Sequence, residues 1–224
     1  MLTIRNFTLT VEGRTLLEHA ALEVGDTEKV ALTGPSGSGK TALLQAIVGW
    51  LPFQAGSVAL GDLELKPETL AEFRSRIAYI QQTPVLCEPT VREVLLYPYS
   101  FRANRRHPRP TPEVLKAILN QVNLPETLLE AAPAALSGGE KQRISVARSL
   151  LFEKKIFLTD EAASELDNRN STRVTHIFLK MPQPLLAVSH DLEVLAQYDR
   201  IYVISNRQLI VRTPKEIKDA QTKY

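Results

Sequence analysis

Apolar and polar residues alternate along the first 24 residues, in LTIRNFTLTV and again in LLEHAALEV. Alternation with a period of two predicts strands that bury one face, and the GRT before LLEHAALEV predicts a turn. Further hairpins are predicted where SVAL and LEL flank Gly61-Asp62, and where IYVIS precedes QLIVR. The start of the chain is therefore expected to form antiparallel strands.

Other parts of the chain carry short, almost wholly apolar runs, which are typical of strands buried on both faces. These runs are KVALT (29–33), RIAYI (76–80), KKIFLTD and PLLAVS. Segments with helical periodicity lie between or after them, namely TALLQAIVGW, SGGEKQRISVARSLL, NRNSTRVTHIFLK and the short PKEIKDAQ. Strands that alternate with helices predict an α/β fold with a largely parallel sheet.

The pattern changes at Thr83, where prolines begin to separate short helical pieces such as VREVLLY and PEVLKAILNQV. We interpret residues 83–135, approximately, as a helical subdomain inserted into a core made of residues 1–82 and 136–224. The whole chain, residues 1–224, is then expected to form a single domain.

The composition narrows the function classes only slightly. A net charge of +2 is too small to indicate a nucleic-acid-binding protein. Cys87 is the only cysteine, which excludes an internal disulfide and a zinc cluster and suits a reducing cytosol. No apolar run approaches the roughly 20 residues that span a bilayer, and the start lacks the pattern of a signal peptide. We therefore expect a protein that is neither inserted nor exported by its own sequence.

The segment GPSGSGKT matches the phosphate-binding pattern G-x-x-x-x-G-K-[ST], and it lies between a predicted strand and a predicted helix, as that pattern requires. Glycines at these positions let backbone N–H groups close around phosphate oxygens. The candidate phosphate-binding residues are Gly34, Pro35, Ser36, Gly37, Ser38, Gly39, Lys40 and Thr41. Lys40 would neutralise the β- and γ-phosphates, and Thr41 would bind Mg²⁺.

Two acidic residues, Asp160 and Glu161, end the buried run IFLTDE. Ligands of parallel α/β sheets lie beyond the carboxyl ends of the strands. Asp160 would hold Mg²⁺ through water, and Glu161 would orient or deprotonate an attacking water. A pair of helix-capping residues is the alternative, and the presence of Lys40 on the same sheet disfavours it.

A second glycine turn, LSGGEKQR, also opens a helix, with Ser137 at the N-cap position. The N-terminus of a helix carries a partial positive charge and can hold a phosphate. The three motifs together resemble the ATP-binding subunits of ABC transporters, over essentially the whole chain. The signature LSGGQ of that family is matched by Leu136 to Gly139, with Glu140 in the last place.

Further positions match other motifs of the family in the expected order. Gln82 in QTPVL matches its glutamine-bearing loop, with Gln81 as the less favoured alternative, and His190 in LLAVSHD matches its switch histidine. The loop that is usually SALD is Ser164-Glu165-Leu166-Asp167 here.

The resemblance implies a P-loop NTPase core of the RecA-like α/β type, an N-terminal antiparallel β-subdomain and an inserted α-helical subdomain. It implies an ATPase that uses ATP and Mg²⁺, with Glu161, His190 and Gln82 as catalytic residues. Thr41, Gln82 and Asp160 would bind the Mg²⁺ ion, directly or through water. Two chains would pack head to tail as a homodimer, so that Ser137, Gly138, Gly139, Glu140 and Asp167 meet nucleotide held by the partner.

The resemblance also implies an integral membrane permease as partner, at the cytoplasmic face of the bacterial inner membrane, with no nucleic acid. Apolar side chains between Thr83 and Tyr99 would contact the permease. Those predicted are Val85, Leu86, Val91, Leu95 and Tyr97. The basic tract FRANRRHPRP, with Arg102, Arg105, Arg106 and Arg109, is interpreted as a solvated loop, with a lipid contact as the alternative.

Two further departures from the family are at Val11 and Glu165. Val11 occupies the position of an aromatic residue that stacks on adenine, and Trp50 and Phe7 are more readily interpreted as packing residues than as substitutes. Glu165 adds a negative charge near the expected dimer interface.

A narrower resemblance involves QTPVLCEPTVREVLLYPYSFRANRR followed by LSGGEKQRISVARSL, which is similar to bacterial Fet-type ATPase subunits linked to iron export. It implies an exporter of iron or another metal ion. The alternatives are a different ABC importer, a lipid exporter and a soluble ABC ATPase without a transport role.

Overall fold

The computed structural model describes residues 1–104, 107–164 and 166–221. The strands are β1 (Leu2–Val11), β2 (Arg14–Val24), β3 (Lys29–Thr33), β4 (Ala55–Leu60), β5 (Leu63–Glu64), β6 (Ile77–Ile80), β7 (Ile156–Asp160), β8 (Leu185–Val188), β9 (Arg200–Ser205) and β10 (Gln208–Arg212). The α-helices are α1 (Lys40–Ile47), α2 (Leu70–Ser75), α3 (Val91–Leu96), α4 (Pro112–Gln121), α5 (Gly138–Leu150), α6 (Asn168–Lys180), α7 (Leu192–Leu195) and α8 (Pro214–Gln221). Short 3₁₀ helices cover Tyr97–Ser100, Arg102–Asn104, Glu126–Glu130 and Pro133–Ala135. No helix in these ranges combines the length and the apolar character that a membrane-spanning segment needs.

The backbone contacts divide the chain into two units. The first unit consists of Met1–Tyr79, Lys154–Glu161 and Leu179–Tyr224. The second unit consists of Ile80–Glu153 and Ala162–Phe178. Both sheets lie essentially in the first unit, and helices α3, α4 and α5 and most of α6 belong to the second.

An antiparallel sheet of the first unit has the strand order β2-β1-β4-β5. Its first hairpin turns at Glu12-Gly13 and not at the predicted GRT, because Val11 pairs with Arg14 and Thr15 is already part of β2. Glu12 and Gly13 both have positive φ, at 49° and 78°. Turns with two such residues match the twist of paired strands, so this short connection replaces the longer predicted one.

The second sheet has the order β10-β9-β3-β8-β7-β6. Strands β9, β3, β8 and β7 run parallel, and β10 returns antiparallel to β9. The prediction of a largely parallel sheet is therefore confirmed. Asp160 pairs with Val188 at the carboxyl end of β7, the edge at which ligands of such sheets bind.

Leucine and isoleucine side chains from both sheets and from α1 form the core of the first unit. Leu32, Leu43, Leu158 and Leu186 are fully buried in it. Each such side chain contributes about 1.5–3 kcal/mol when it leaves water. This packing fixes the strand ends that carry the candidate chemistry.

The second unit is built around α5. Thr90 and Glu93 form a capping box that starts α3. The Tyr99 hydroxyl donates to the carbonyl oxygen of Leu151 at 3.0 Å, and its ring lies 4.4 Å from that of Phe152. These contacts hold the segment after α3 against the end of α5.

The predicted apolar surface between residues 83 and 99 is only partly correct. Val91 and Leu95 are fully buried within the second unit and are not available to a partner, because they form the inner face of α3. Val85 is 58% exposed and Tyr97 is 46% exposed, while Leu86 is half-buried. The exposed apolar surface of this segment therefore depends mainly on Val85 and Tyr97.

Candidate functional site

The loop from Gly34 to Gly39 connects β3 to α1 in the first unit. Gly39 has φ of 106°, which an L side chain rarely adopts, and it immediately precedes the first residue of α1. A Cβ atom at Gly39 would lie 3.0 Å from the Cβ of Leu16. Glycine is required here because the turn and the close approach of Leu16 leave no space for a side chain.

The loop presents polar groups that the described residues do not satisfy. The Ser38 hydroxyl oxygen is buried and has no hydrogen-bond partner among the described residues. The backbone N–H groups of Gly37 and Gly39 have no partner there either, and open space surrounds the position of a Cβ at Gly37. Buried polar groups normally have a partner, so the Ser38 hydroxyl fits an anion such as a phosphate, which the N–H groups of Gly37 and Gly39 could also bind.

The Lys40 ammonium lies across this loop. Its Nζ donates to the carbonyl oxygen of Gly34 at 2.9 Å and to that of Pro35 at 3.0 Å. Burial lowers the pKa of Lys40, and the carboxylates of Glu161 and Asp160 act in the opposite direction. A cation held beside this glycine-rich loop suits a polyphosphate.

Asp160 is 2% exposed at the end of β7 and lies beside two hydroxyl groups. The hydroxyl of Thr41 donates to its carboxylate, and the Tyr79 hydroxyl lies 3.4 Å from Oδ2. Burial raises the pKa of Asp160, with a smaller effect of Glu161, while the two hydroxyls and Lys40 oppose the shift. The Thr41 and Asp160 oxygens are the hard ligands that Mg²⁺ prefers, and together they fit a magnesium ion that takes its other ligands from water and phosphate.

Glu161 and His190 face each other in the first unit. The Nε2 of His190 lies 3.1 Å from Oε1 of Glu161, and the His190 side chain is 45% exposed. Glu161 has φ of 49°, in a region that costs a non-glycine residue about 1–3 kcal/mol and is enriched at functional sites. The strained backbone and the contact with His190 orient this carboxylate, which directly follows the buried Asp160 in the chain.

The signature residues Ser137 to Glu140 lie in the second unit, where they start α5. Ser137 is the N-cap, as predicted, and forms a capping box with Glu140. The Ser137 hydroxyl donates to Oε2 of Glu140 at 2.7 Å, and the Ser137 N–H donates to the same oxygen at 2.9 Å. These hydrogen bonds lower the pKa of Glu140, so its carboxylate remains charged beside the turn.

Three other predicted positions also belong to the second unit. Gln82 is exposed. The carbonyl oxygen of Gln81 accepts a hydrogen bond from the buried Gln142 side chain at 3.1 Å. Both carboxylate oxygens of Asp167 accept from Asn170, from its N–H at 3.0 Å and from its Nδ2 at 2.6 Å.

The aromatic alternatives to Val11 are engaged in packing. Phe7 is fully buried and its ring lies 5.0 Å from that of Phe53. Trp50 is 49% exposed, with its ring edge-on to Tyr79 at 5.2 Å. Val11 itself is half-buried and packs against the core of the first unit.

The first unit thus brings together the phosphate-binding loop, Asp160, Glu161 and His190. The second unit holds Gln82, the signature turn and Asp167. Glu165, Arg105 and Arg106 lie outside the described residues. Neither Tyr79 nor Asn170 was predicted from the sequence as a site residue. For Asn170 a signal was present in the sequence, because it lies three positions after Asp167 at the start of a helix.

Comparison with known proteins identifies the family. The family model "ABC transporter" matches residues 17–164, and the chain belongs to this family of ATP-binding proteins. The probable iron export ATP-binding protein FetA of Escherichia coli (strain K12) is 34% identical over 180 residues, which is 77% of this chain and 77% of FetA.

Longer relatives also match. The lactococcin-A transport/processing ATP-binding protein LcnC of Lactococcus lactis is 30% identical over 207 residues. The match covers 88% of this chain and 28% of LcnC, so the chain spans less than a third of that relative.

Solved structures confirm the fold class. The dimeric ATP-binding cassette MJ0796, in a post-hydrolysis state bound to ADP and Pi, has a TM-score of 0.84 at 23% identity, over 96% of this chain and 99% of MJ0796. A bacterial Atm1-family exporter with ATP bound has a TM-score of 0.82 at 22% identity, over 98% of this chain and 40% of the exporter chain.

Val11 leads to a prediction about nucleotide selectivity. A valine covers one face of a base but lacks the π contribution of an aromatic ring, a contact worth roughly 1 kcal/mol. We therefore expect ATP and GTP to bind with dissociation constants within about tenfold of each other, as measured by calorimetry. Val11→Tyr should improve the affinity for both. A preference of about a hundredfold for ATP would show that another residue reads the base.

Proposed function

We propose that this chain binds and hydrolyses ATP with Mg²⁺, as the ATP-binding subunit of an ABC transporter. The observation that carries the proposal is the convergence of five side chains at one edge of the first unit. These are Lys40, Thr41, Asp160, Glu161 and His190. Family membership supports the same conclusion.

Each of these residues has a role that follows from its position. Lys40 and the N–H groups of the loop would hold the phosphates, and Thr41 and Asp160 would hold Mg²⁺, which offsets the charge of the phosphates when bound. Glu161 would orient the attacking water and accept its proton. The contact between His190 Nε2 and Glu161 Oε1 at 3.1 Å helps to keep the carboxylate in place.

We also propose that a complete site needs two copies of the chain. The turn at Ser137 to Gly139 opens a 13-residue helix, whose N-terminal N–H groups and dipole suit a γ-phosphate. One chain has one phosphate-binding loop and one signature turn, so a symmetric dimer can build two equal sites from both. Asp167 would lie at the same interface.

The partner in the membrane is proposed to be a permease that contacts the second unit, at the cytoplasmic face of the membrane. Val85 and Tyr97 supply exposed apolar surface there. Gln82 lies two residues after the end of β6. We propose that its position changes with the bound nucleotide and that this change is transmitted to the second unit.

Export of iron or another metal ion is the favoured transport role. FetA, described as a probable iron export protein, matches over 77% of both lengths. Export of a lipid is the second candidate, since the ATP-dependent lipid A-core flippase of Desulfotalea psychrophila is 30% identical over 87% of this chain, although over only 35% of its own length.

Two measurements test this proposal. The purified chain should release phosphate from Mg-ATP, and Lys40→Ala should abolish nucleotide binding, because the loop then lacks its cation. Cells that express the chain with its permease should hold less iron than cells with Lys40→Ala. Absence of phosphate release by the chain and by its permease complex would contradict the ATPase. Equal iron contents would contradict iron export and would leave the ATPase unaffected.

A further inference from the structure

One side-chain amide in the second unit contacts three segments. Asn170, in the first turn of α6, accepts at Oδ1 from Nδ2 of Asn123 at 2.9 Å and from Nη1 of Arg143 at 3.2 Å. Its Nδ2 donates to Oδ2 of Asp167 at 2.6 Å. Both ends of the amide are therefore used.

Arg143 extends this network to the signature turn. Its Nε donates to the carbonyl oxygen of Gly139 at 3.2 Å, and its Nη1 donates to that of Asn123 at 2.6 Å. A Cβ at Gly139 would lie 3.3 Å from Cδ2 of Leu166, so the signature turn and the loop around Asp167 are also close neighbours. The network thus joins two segments that the proposed dimer needs.

The chemistry of the site requires an amide at position 170. Two donors, from Asn123 and Arg143, face Oδ1, while the acceptor Asp167 faces Nδ2. If the amide were flipped, its NH₂ group would face the donors of Asn123 and Arg143, and its oxygen would face the Asp167 carboxylate. Both contacts would be repulsive, so the orientation of the amide is fixed. An aspartate here would accept from the same two donors but would repel Asp167.

Capping of α6 does not explain this side chain. The cap is made by Oδ1 of Asp167 with the backbone N–H of Asn170, which any residue except proline would supply. The amide additionally connects α6 to Arg143 and to Asn123, which lies two residues after the end of α4. Its role lies in fixing the two loops relative to each other.

We propose that Asn170 is a positioning residue that holds the signature turn and the Asp167 loop of one chain in a single arrangement, ready to receive the partner's nucleotide. This inference rests on the proposed dimeric ATPase. A surface that is already ordered loses less entropy when the two chains associate. Asn170 would act on dimerisation and leave nucleotide binding by the Lys40 loop unchanged.

The test measures dimerisation and nucleotide binding separately, in a Glu161→Gln background that slows hydrolysis. With saturating Mg-ATP, Asn170→Ala should raise the dimer dissociation constant by about tenfold, as loss of a charge-assisted hydrogen bond does. Analytical ultracentrifugation reports this constant. The affinity of the monomer for a fluorescent ATP analogue should stay within about twofold of the parent. Asn170→Asp, which keeps the two acceptor bonds, should weaken dimerisation as well.

Arg173→Ala is the matched control. Arg173 lies one turn further along α6 and donates to the carbonyl oxygens of Gln121 and Asn120 at 2.8 and 2.9 Å, so its hydrogen bonds within the described residues go to the end of α4 and not to either loop. The Arg173→Ala protein should be less stable to unfolding, yet it should dimerise like the parent. If both Asn170 variants dimerise like the parent, or if nucleotide affinity falls equally, the positioning role is overturned. A parent that fails to dimerise with Mg-ATP overturns the proposed function and this inference together.

Discussion

Glu161→Gln should lower the rate of ATP hydrolysis by roughly 10²-fold or more, as the loss of a catalytic group commonly does. The amide keeps the size of the side chain and can still hydrogen-bond to His190, but it cannot accept a proton from water. Nucleotide binding should persist, because Lys40 and Thr41 are unchanged. The variant with Mg-ATP should therefore accumulate as a dimer on size-exclusion chromatography, while the wild-type chain stays largely monomeric.

A control for this change is Glu193→Gln. Glu193 is an exposed carboxylate in the first turn of α7, three residues after His190. Its loss removes the same charge from the neighbourhood and should leave the rate within about twofold of wild type. Hydrolysis by Glu161→Gln at a near-wild-type rate would remove Glu161 from the mechanism.

The second large effect concerns the permease. Val85→Asp should abolish stable co-purification with the co-expressed permease, since a buried unpaired carboxylate at an apolar contact is strongly unfavourable. Val85 is a better site for this change than Leu86, because Leu86 is half-buried and its replacement would also disturb the second unit. Nucleotide binding by the Lys40 loop should be spared.

Val114→Asp provides the comparison. Val114 is also an exposed valine of the second unit, 46% exposed on α4, and it lies outside the proposed contact segment. Its change should leave the complex intact. Normal assembly of the Val85→Asp protein, with coupled hydrolysis, would show that the permease binds elsewhere.

Most strands and helices could be predicted from sequence, because burial on both faces of a parallel sheet leaves continuous apolar runs such as KVALT. The turn after β1 could not be placed correctly. Glycine at position 13 signals a turn, but the positive φ at Glu12 depends on strand pairing, which the local sequence does not determine.

Burial within the second unit was also beyond local patterns. Val91 and Leu95 share the apolar character of Val85, and only the packing of α3 separates inner from outer residues. The contacts of Asn170 involve Asn123 and Arg143, which are 47 and 27 positions away. Such contacts depend on tertiary structure. The glycine-rich motifs could therefore be recognised in the sequence, whereas the side chains that hold them in position could not.

The central claim, that each complete site combines the loop of one chain with the signature turn of the other, has a direct test by mixing two variants. Lys40→Ala removes the ammonium group that would bind the phosphates. Gly138→Asp places a negative charge at the signature turn, where the γ-phosphate would bind. Each variant alone should be nearly inactive. In an equal mixture about half of the dimers would be mixed, each with one intact site of two, so about a quarter of the wild-type ATPase rate should return. If the mixture shows only the average of the two separate variants, the shared site does not exist.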